Sequence, residues 1–419
     1  MNLLLQQVRV VDPSSSHHQQ TVDIRFSEGK IVGIGSLKPE VGEEVLLREG
    51  LHISPGWIDM HVDFSDPGFE DRETLDSGIH AAMKGGFTGA VVLPGTKPVV
   101  DGKSGVEYLF RAARDVEFQL LPAGAISRGM EGKEMAEMYD MFRAGAVCFT
   151  DDLRLSHNTE LLKLSLQYTS NFGAPLMTYP QDRSFSQSAQ MHEGPVSTRL
   201  GMQGLPSFSE AMEMERQLHI LRYAGGHLHF MGISTKEGVE VLARAKEEGL
   251  SVSADVHISN LISTDEQLYS YDTNYKVFPP LRDELHRSSL VSGLRSGVID
   301  AVSSNHRPCT IEEKDCEFAL ARHGMIGLES CFGLLGTLGL SVDDMVHALA
   351  IAPRSILNIA SVVVEDGAEV DFTLFDPFID SEFRLSDIHS KSRNTPYIGV
   401  RTKGEVHGVL IGDLALIRQ

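Results

Sequence analysis

The chain has 419 residues, of which 42% are hydrophobic and 23% are charged, and its formal net charge at pH 7 is −21. This length suits one α/β barrel with a smaller module beside it. The excess of acidic residues excludes a basic phosphate-binding face, so we expect no nucleic acid and no anionic membrane as a partner.

Segments that would direct the chain to a membrane or out of the cell are not evident. No apolar run approaches the roughly 18 residues of a transmembrane helix. The first residues, MNLLLQQVRVVDP, have no basic region and soon turn polar, which is untypical of a signal peptide. We therefore expect a cytoplasmic protein.

The four cysteines are too few for a disulfide framework in a chain of this length, and no CxxC motif occurs. They are Cys148, Cys309, Cys316 and Cys331. Cys309 and Cys316 lie seven residues apart near His306, which would also suit a zinc site. Reduced cytosolic thiols are the favoured interpretation.

Between residues 55 and 305, short apolar runs alternate with amphipathic helical patterns. The predicted strands span 57–62, 88–94, 117–124, 146–150, 175–179, 227–231, 250–256 and 299–304. The predicted helices span 74–84, 104–114, 132–143, 157–171, 208–224, 235–248 and 283–296. Eight apolar strands with helical crossovers favour a closed (β/α)₈ TIM barrel over residues 54–355, with a doubly wound open sheet as the alternative.

The two ends of the chain carry strand-like segments joined by turn residues. In order, these segments are LLLQQVRVV, TVDIRFS, KIVGIG, EVDFTLFD, IGVRTKG and EVHGVLIGD. Neither end is long enough for a stable sheet domain alone, so we expect residues 1–53 and 356–419 to share one small β-sandwich. The stretch 180–207 lacks periodicity and is expected to be a long functional or mobile loop.

In a barrel of this type, functional side chains come from the carboxyl ends of the strands. His61 and Asp63 lie at the end of the first predicted strand, where residues i and i+2 share a face. Both side chains can therefore point toward one metal ion. A lone HxD is a weak motif, and its position directly after PGWIDM strengthens it.

The residues from PGWIDMHVDFSDPG to AAMKGGFT are very similar to the first-strand signature of dihydroorotases and allantoinases. Further similar motifs follow in order along nearly the whole chain. They are LPGTKPVVD, AGAVCFTDD, MHEGPVSTRLGMQGLP, VFPPLRDE, GVIDAVSSNHRP, GLES and NTPYIGVRTKGEV. The dihydroorotase branch fits better than the allantoinase branch. The resemblance implies metal-assisted hydrolysis of a cyclic amide in pyrimidine synthesis, with zinc supplying hydroxide and an aspartate moving the proton.

The positions that match the family's metal ligands and catalytic base are mostly substituted. They are His61, Asp63, Asp151 (with Asp152 adjacent), Tyr179, Gly232 and Asn305. The family has two histidines, an aspartate, two more histidines and the catalytic aspartate at these six positions. His61, Asp63 and Asp151 can still hold one zinc ion weakly, whereas a second ion has essentially no ligands left. Asn305 is an amide that cannot replace the catalytic base.

The substrate-binding positions depart from the family pattern as well. The arginine that would clamp the substrate carboxylate is Ser65, and the asparagines that assist are Gly95 and Phe278. Arg307 is expected to fill the vacated site with a permanent positive charge and to pair with Asp63 or Asp151. His227 and His229, by alternation from position 232, are expected to face the outer helices as a packed pair.

Three functional hypotheses follow from an intact scaffold with substituted ligands. The first is a pseudoenzyme that serves as a scaffold for aspartate carbamoyltransferase or an active dihydroorotase, and that forms a homodimer. It would need no cofactor, or would hold one zinc ion weakly. The second is an active cyclic amidohydrolase with one unusual metal ion. The third is a small-molecule sensor that uses the old pocket.

Overall fold

The computed structural model describes residues 1–154 and 158–418. The strands of this part of the chain are β1 Asn2–Val10, β2 Thr21–Ser27, β3 Lys30–Gly35, β4 Glu44–Leu47, β5 His52–Pro55, β6 Trp57–Val62, β7 Phe87–Val92, β8 Gln119–Gly124, β9 Cys148–Phe149, β10 Leu176–Thr178, β11 Met191–His192, β12 Gly204–Leu205, β13 Leu228–Phe230, β14 Val252–His257, β15 Ala301–Ser303, β16 Asp371–Glu382, β17 Arg401–Ile411 and β18 Leu414–Ile417.

The α-helices of the same residues are α1 Leu75–Lys84, α2 Lys103–Ala112, α3 Met138–Ala144, α4 Thr159–Thr169, α5 Arg183–Ser186, α6 Pro195–Leu200, α7 Phe208–Ala224, α8 Lys236–Glu247, α9 Ile258–Ile262, α10 Glu284–Arg295, α11 Ile311–Lys314, α12 Cys331–Gly336, α13 Val342–Val346 and α14 Ala352–Ile356. A π-helical turn, His347–Ile351, joins α13 to α14.

Eight parallel strands form the barrel that the sequence predicts. Their order is β6-β7-β8-β9-β10-β13-β14-β15, so each strand lies beside its neighbour in the chain. The first and last strands meet through a parallel bridge between Val62 and His306, where the amide of Asp63 donates to the carbonyl of His306 at 2.9 Å. The sheet is therefore nearly closed, and the open doubly wound alternative is wrong.

Seven longer helices cover the outside of the barrel near their predicted positions, and the core lies in two layers. One layer, between strands and helices, includes Leu228 and Phe230 of β13. The other fills the barrel interior and includes Met60, Met177 and Tyr179. The functional residues lie at the carboxyl ends of these strands, next to the interior layer.

The two ends of the chain build one sheet beside the barrel. Its order is β18-β17-β16-β5-β1-β2-β3, with β4 paired to β1, and it is largely antiparallel. Residues from both ends, such as Leu5 and Phe372, share its hydrophobic core. Strand β5 extends this sheet to Pro55, which leaves only Gly56 before the first barrel strand. The predicted segments 398–404 and 405–413 merge into the single strand β17.

Two further expectations from the sequence need correction. The stretch 180–207 contains α5, α6 and the two-stranded sheet β11-β12, so it is not an irregular loop. The helix predicted from 132 begins only at Met138, because the preceding residues pair with an earlier segment: the Arg128 amide donates to the Glu134 carbonyl and the Ala136 amide to the Ile126 carbonyl, both at 2.9 Å. The helix predicted over 157–171 is α4, and the first predicted residue, 157, lies outside the described residues.

Among residues 1–154 and 158–418, no helix combines the length and the apolar character needed to cross a membrane.

Candidate active site

The carboxyl ends of the barrel strands bring together a set of mostly polar residues that we call the mouth. The mouth residues are His61, Asp63, Asp152, Tyr179, Gly232, His257, Asn305 and Arg307. Backbone geometry at this end is unusual, because Ser65, Asp152 and Asn305 have φ angles of 61°, 49° and 47°. Residues other than glycine adopt this left-handed region at a cost of order 1–3 kcal/mol, and such residues cluster at functional sites.

Asp255 on β14 is the centre of a buried hydrogen-bond network in the barrel. Its Oδ2 atom lies 2.7 Å from His61 Nε2 and 2.9 Å from His229 Nε2. Its Oδ1 atom accepts from the Gly232 amide at 3.0 Å and from the Ser303 hydroxyl at 3.1 Å. Burial opposes ionisation, but the facing His61 charge and the histidine hydrogen bonds outweigh it and hold the pKa of Asp255 well below its usual value.

His229 faces the barrel interior, so the expectation that the HxH pair faces the outer helices is wrong. Its Nδ1 atom lies 2.8 Å from the Ser253 hydroxyl, which His227 Nε2 also contacts at 2.8 Å. The expectation extended strand alternation back from position 232. Strand β13 ends at Phe230, and Gly232 has a φ of 56°, so the alternation does not continue that far.

His257 occupies the space beside Gly232, where the family pattern has a histidine. A Cβ atom at position 232 would lie 2.5 Å from His257 Cε1, closer than real Cβ contacts. Burial, followed by the nearby His61, lowers the pKa of His257 well below its usual value, so this imidazole is neutral at pH 7. An imidazole is therefore present here, but it comes from β14.

Asp151 and Asp152 separate at the end of β9. The Asp151 carboxylate accepts from the amides of Ile126 and Ser127, both at 2.9 Å, and from the Ser127 hydroxyl at 2.5 Å. Asp152 instead faces Arg307, and its carboxylate lies close to position 95. The structure therefore does not bring His61, Asp63 and Asp151 together as one metal site.

Arg307 fills the mouth, as the sequence predicts, but its partner is Asp152 rather than Asp63 or Asp151. The guanidinium donates through Nη1 and Nη2 to the two Asp152 oxygens at 3.0 and 2.5 Å. Its Nε donates to Asn305 Oδ1 at 2.9 Å, and Nη2 donates to the Tyr179 hydroxyl at 3.4 Å. The ion pair is almost completely buried, with exposures of 7% and 11% for the two side chains.

Tyr179 keeps its proton in this setting. Burial raises the pKa of the phenol, and the neighbouring Arg307 only partly opposes that shift. The hydroxyl lies 3.4 Å from His257 Nε2, so it can donate to this nitrogen while it accepts from Arg307.

The three substrate-binding positions offer little to a carboxylate. Ser65 is buried, and its amide and hydroxyl both donate to Asp63 at 2.8 and 3.1 Å. Gly95 has no side chain. Phe278 contacts the rings of Tyr179 and His323 and lines a cavity of about 680 Å³ whose other walls include Lys133 and Arg183.

The side chains at the six family positions do not fit a zinc ion. Zinc takes four good nitrogen, oxygen or sulfur donors. Gly232 provides none, Tyr179 remains protonated, and the Asn305 amide oxygen is already bonded to a permanent cation. The Asp151 carboxylate is turned to the Ile126 and Ser127 amides and the Ser127 hydroxyl. A divalent ion at this place would also face the Arg307 charge.

Two other groups of His and Asp residues could contact a metal within the described part of the chain. His61, Asp255 and His257 place potential ligand atoms within 4.8 Å of one another, although Asp255 already accepts four hydrogen bonds. The other group, His192, Asp283 and His286, lies outside the mouth. All four cysteines are free thiols, and neither group contains one.

Comparison with known proteins gives the family. The family model described as dihydro-orotase-like matches residues 50–238. The dihydroorotase of Pelotomaculum thermopropionicum is 36% identical, over 100% of this chain and 99% of that protein. The chain belongs to the dihydroorotase family. The dihydroorotases of Ruminiclostridium cellulolyticum and Syntrophus aciditrophicus are 33% and 34% identical, over at least 98% of each chain.

Solved structures confirm the barrel fold of this dihydroorotase-family chain. The L-hydantoinase of Arthrobacter aurescens has a TM-score of 0.85 at 21% identity and covers 100% of this chain and 96% of its own. The dihydropyrimidinase of Brevibacillus agri has a TM-score of 0.83 at 19% identity, with coverages of 100% and 95%. Dihydroorotases are metal-dependent enzymes, so the filled mouth is the feature of this chain that needs explanation.

Sequence reasoning missed Ser253 and His257 of strand β14, which lie two residues before and after Asp255. Ser253, Asp255 and His257 alternate along it and all point inward. A polar residue at every second position of an otherwise apolar barrel strand was the available signal.

Proposed function

We propose that this chain is a catalytically silent member of the dihydroorotase family that serves pyrimidine biosynthesis as a scaffold. The observation that carries the proposal is the buried Arg307–Asp152 ion pair, which fills the mouth between Tyr179 and Asn305. The sequence similarity to a dihydroorotase nevertheless extends over 100% of this chain. In this proposal the protein needs no cofactor, or holds at most one zinc ion weakly.

The missing chemistry is too large for the remaining side chains to replace. Zinc lowers the pKa of bound water from roughly 16 to about 7. At about 1.4 kcal/mol per pKa unit, this corresponds to on the order of 12 kcal/mol of nucleophile activation. Replacing the catalytic aspartate by Asn305 removes a further factor of about 10²–10⁴.

The absence of catalytic activity is tested by measuring both turnover of dihydroorotate and metal content. We expect no hydrolysis of dihydroorotate by the purified protein, and less than one equivalent of zinc per chain after brief dialysis against a chelator. His61→Ala is the matched control and should leave both readings unchanged. Two tightly held zinc ions, or turnover that His61→Ala abolishes, would refute the proposal.

The scaffold part of the proposal concerns association. A barrel with an attached sheet offers large outer surfaces that do not depend on the mouth, and specific interfaces generally bury more than about 1,000 Å² in total. We propose a homodimer that also binds aspartate carbamoyltransferase or an active dihydroorotase. The net charge of −21 favours a partner with a basic patch and makes the association salt-sensitive.

Light scattering on the pure protein tests the dimer. Co-purification from the native cell at low and at high salt tests the partner. As a control, the same experiment is repeated with a catalytically active dihydroorotase as the bait in place of this protein. A strict monomer that retains neither enzyme would refute the scaffold role.

A second candidate is an active cyclic amidohydrolase with one unusual metal ion. The observation that favours it is the buried His61–Asp255–His257 group, together with the relatives' name, dihydroorotase. One equivalent of metal that survives dialysis and is lost in His257→Ala would favour this candidate over the silent scaffold.

A third candidate is a small-molecule sensor. The cavity beside Phe278, with Lys133 and Arg183 in its walls, supports it. Calorimetric titration with carbamoyl-aspartate and dihydroorotate tests it, with Phe278→Ala as the control variant. A dissociation constant that this substitution weakens, without turnover, would favour the sensor.

A further inference from the structure

Arg307 bonds to the side chains at two of the six positions where the family pattern has a metal ligand or the catalytic base, and to the neighbour of a third, Asp151. These partners are Asp152, Tyr179 and Asn305, which follow three different barrel strands. A single cation therefore links the ends of β9, β10 and β15. In an enzyme of this family, a metal ion would link the corresponding positions.

The charge on Arg307 is fixed and buried. An arginine does not lose its proton in proteins, and its planar fork matches a carboxylate with two parallel hydrogen bonds. The residue is only 6% exposed, so its attraction to Asp152 is poorly screened by solvent. The Asp152 carboxylate and the Asn305 amide oxygen thus face one cation, as they would face an ion.

Two partners of Arg307 have left-handed backbone angles. Asp152 and Asn305 have φ values of 49° and 47°, and the side chain of each bonds to the guanidinium. These bonds oppose the cost of the unfavourable backbone conformation. Loss of the guanidinium would therefore release both strand ends and leave the buried Asp152 carboxylate without its cation.

We infer that Arg307 is a built-in replacement for the metal ion, and that its removal creates a divalent-cation site at the oxygen atoms of Asp152 and Asn305. The inference rests on the proposed function, because an enzyme that binds its own metal would not need such a replacement. The cation class is one that accepts carboxylate and water oxygens, such as Mn²⁺. The arginine holds the mouth together and also excludes this ion.

The experiment measures Mn²⁺ binding by calorimetry, and the thermal midpoint with and without Mn²⁺, for the wild type and Arg307→Ala. We expect Arg307→Ala to bind Mn²⁺ at least about tenfold more tightly than the wild type, because a buried like charge has been removed. Mn²⁺ should raise the midpoint of this variant toward the wild-type value and leave the wild type unchanged. Equal Mn²⁺ affinity in the two proteins would overturn the inference.

Three further variants separate this role from a general charge effect. Arg322→Ala removes a half-exposed arginine whose Nη2 lies 4.0 Å from Asp63, and it should gain no Mn²⁺ affinity. Arg307→Lys keeps the charge and should also gain none. Adding Asp152→Asn to Arg307→Ala should abolish the gain. A gain in Arg322→Ala as large as in Arg307→Ala would overturn the inference.

Folding and catalysis are checked separately. If Arg307→Ala is recovered unfolded, Arg307→Gln replaces it, because it keeps an amide donor without the charge and should show the same gain. Turnover of dihydroorotate by the wild type would defeat the proposed function, and the inference with it. A silent, metal-free wild type whose Arg307 variants gain no Mn²⁺ would defeat the inference alone.

Discussion

His257 fills the space that a side chain at position 232 would need, because a Cβ built on Gly232 would lie 2.5 Å from His257 Cε1. The φ of Gly232 is 56°, a conformation that favours glycine. The lost ligand at position 232 and the histidine on β14 are therefore coupled by packing, and restoring the ligand alone is sterically blocked.

We predict that Gly232→His destabilises the protein by about 2–5 kcal/mol, which combines overpacking with a strained left-handed backbone. Chemical denaturation followed by circular dichroism measures the change in the free energy of unfolding. Adding His257→Ala to the variant should recover part of the loss, because it vacates the space.

Gly95→Ala is the matched control for this prediction. Position 95 also belongs to the family's site, but the nearest atom to its Cβ, Asp152 Oδ2, lies 4.0 Å away. We expect Gly232→Ala to be destabilising and Gly95→Ala to change stability by less than about 1 kcal/mol. Equal effects of the two substitutions would contradict the packing argument.

Asn305→Asp restores the family's catalytic residue, and we predict no measurable hydrolysis of dihydroorotate. Asn305 Oδ1 already accepts from Arg307 Nε at 2.9 Å, so a carboxylate here would pair with the guanidinium. Groups that act as a unit contribute non-additively, and one restored member does little without the others. A spectrophotometric assay at high enzyme concentration measures this, and turnover above the wild-type background would show that the mouth needs only a base.

The barrel was predictable because its signals are local. Strand β6 and helix α7 have the bounds that apolar periodicity predicts, 57–62 and 208–224. One of the errors falls where a glycine has a special conformation. Gly404, with a φ of 93°, reads as a turn residue in the sequence but lies within the continuous strand β17. A local pattern cannot distinguish a turn from a bulge in a paired strand.

The site was less predictable because its contacts join distant strands. The sequence identified His61 and the mouth position of Arg307, but it could not choose Asp152 over Asp63 and Asp151 as the partner. That choice depends on how the backbone separates Asp151 and Asp152 at the end of β9, and Asp152 has a φ of 49°. Likewise, the partnership of His61 with Asp255 spans 194 residues and exists only in the folded barrel.

The buried pair of Glu73 and His306 should give the protein a characteristic pH dependence. His306 Nε2 lies 3.3 Å from Glu73 Oε2, and the Ser390 hydroxyl donates to the same oxygen. Burial opposes both charges, but the pair raises the pKa of His306 and lowers the pKa of Glu73. The stabilisation of the fold by charged His306 is complete below its ordinary pKa of 6.5 and is lost as pH rises through the raised pKa. The stabilisation of the fold by charged Glu73 is complete above its ordinary pKa of 4.5 and is lost as pH falls through the lowered pKa.

We therefore predict that Glu73→Gln lowers the free energy of unfolding by about 2–4 kcal/mol between pH 4.5 and 6.5. The difference from the wild type should shrink as pH rises through the raised pKa of His306. Denaturant titrations at five pH values measure it. Glu70→Gln, in the same segment but exposed, is the control and should show no such pH-dependent gap. A gap for Glu73→Gln that grows toward alkaline pH would contradict the assignment of charge.

The negative charge of Asp255 is compensated inside the barrel by the two imidazoles that face it. Its carboxylate is fully buried between His61 and His229, and it also accepts from the Gly232 amide and the Ser303 hydroxyl. Asp255→Asn keeps the size but removes the charge that both imidazoles face, and breaking a buried pair typically costs about 3–5 kcal/mol. We expect a loss of that order in the free energy of unfolding.

The pH range over which the Asp255 charge stabilises the fold follows from the pKa of its carboxyl group. Because the pKa of Asp255 in the folded state is well below its ordinary value of 3.8, its stabilisation is complete above that value and is lost only as pH falls through the lower one. Ser303→Ala, which removes one neutral hydrogen bond to the same carboxylate, is the matched control and should cost only about 1 kcal/mol. Equal losses in the two variants would mean that the Asp255 charge contributes nothing beyond its hydrogen bonds. A larger loss in Asp255→Asn, with no change in metal content, would show that this network supports the barrel rather than an ion.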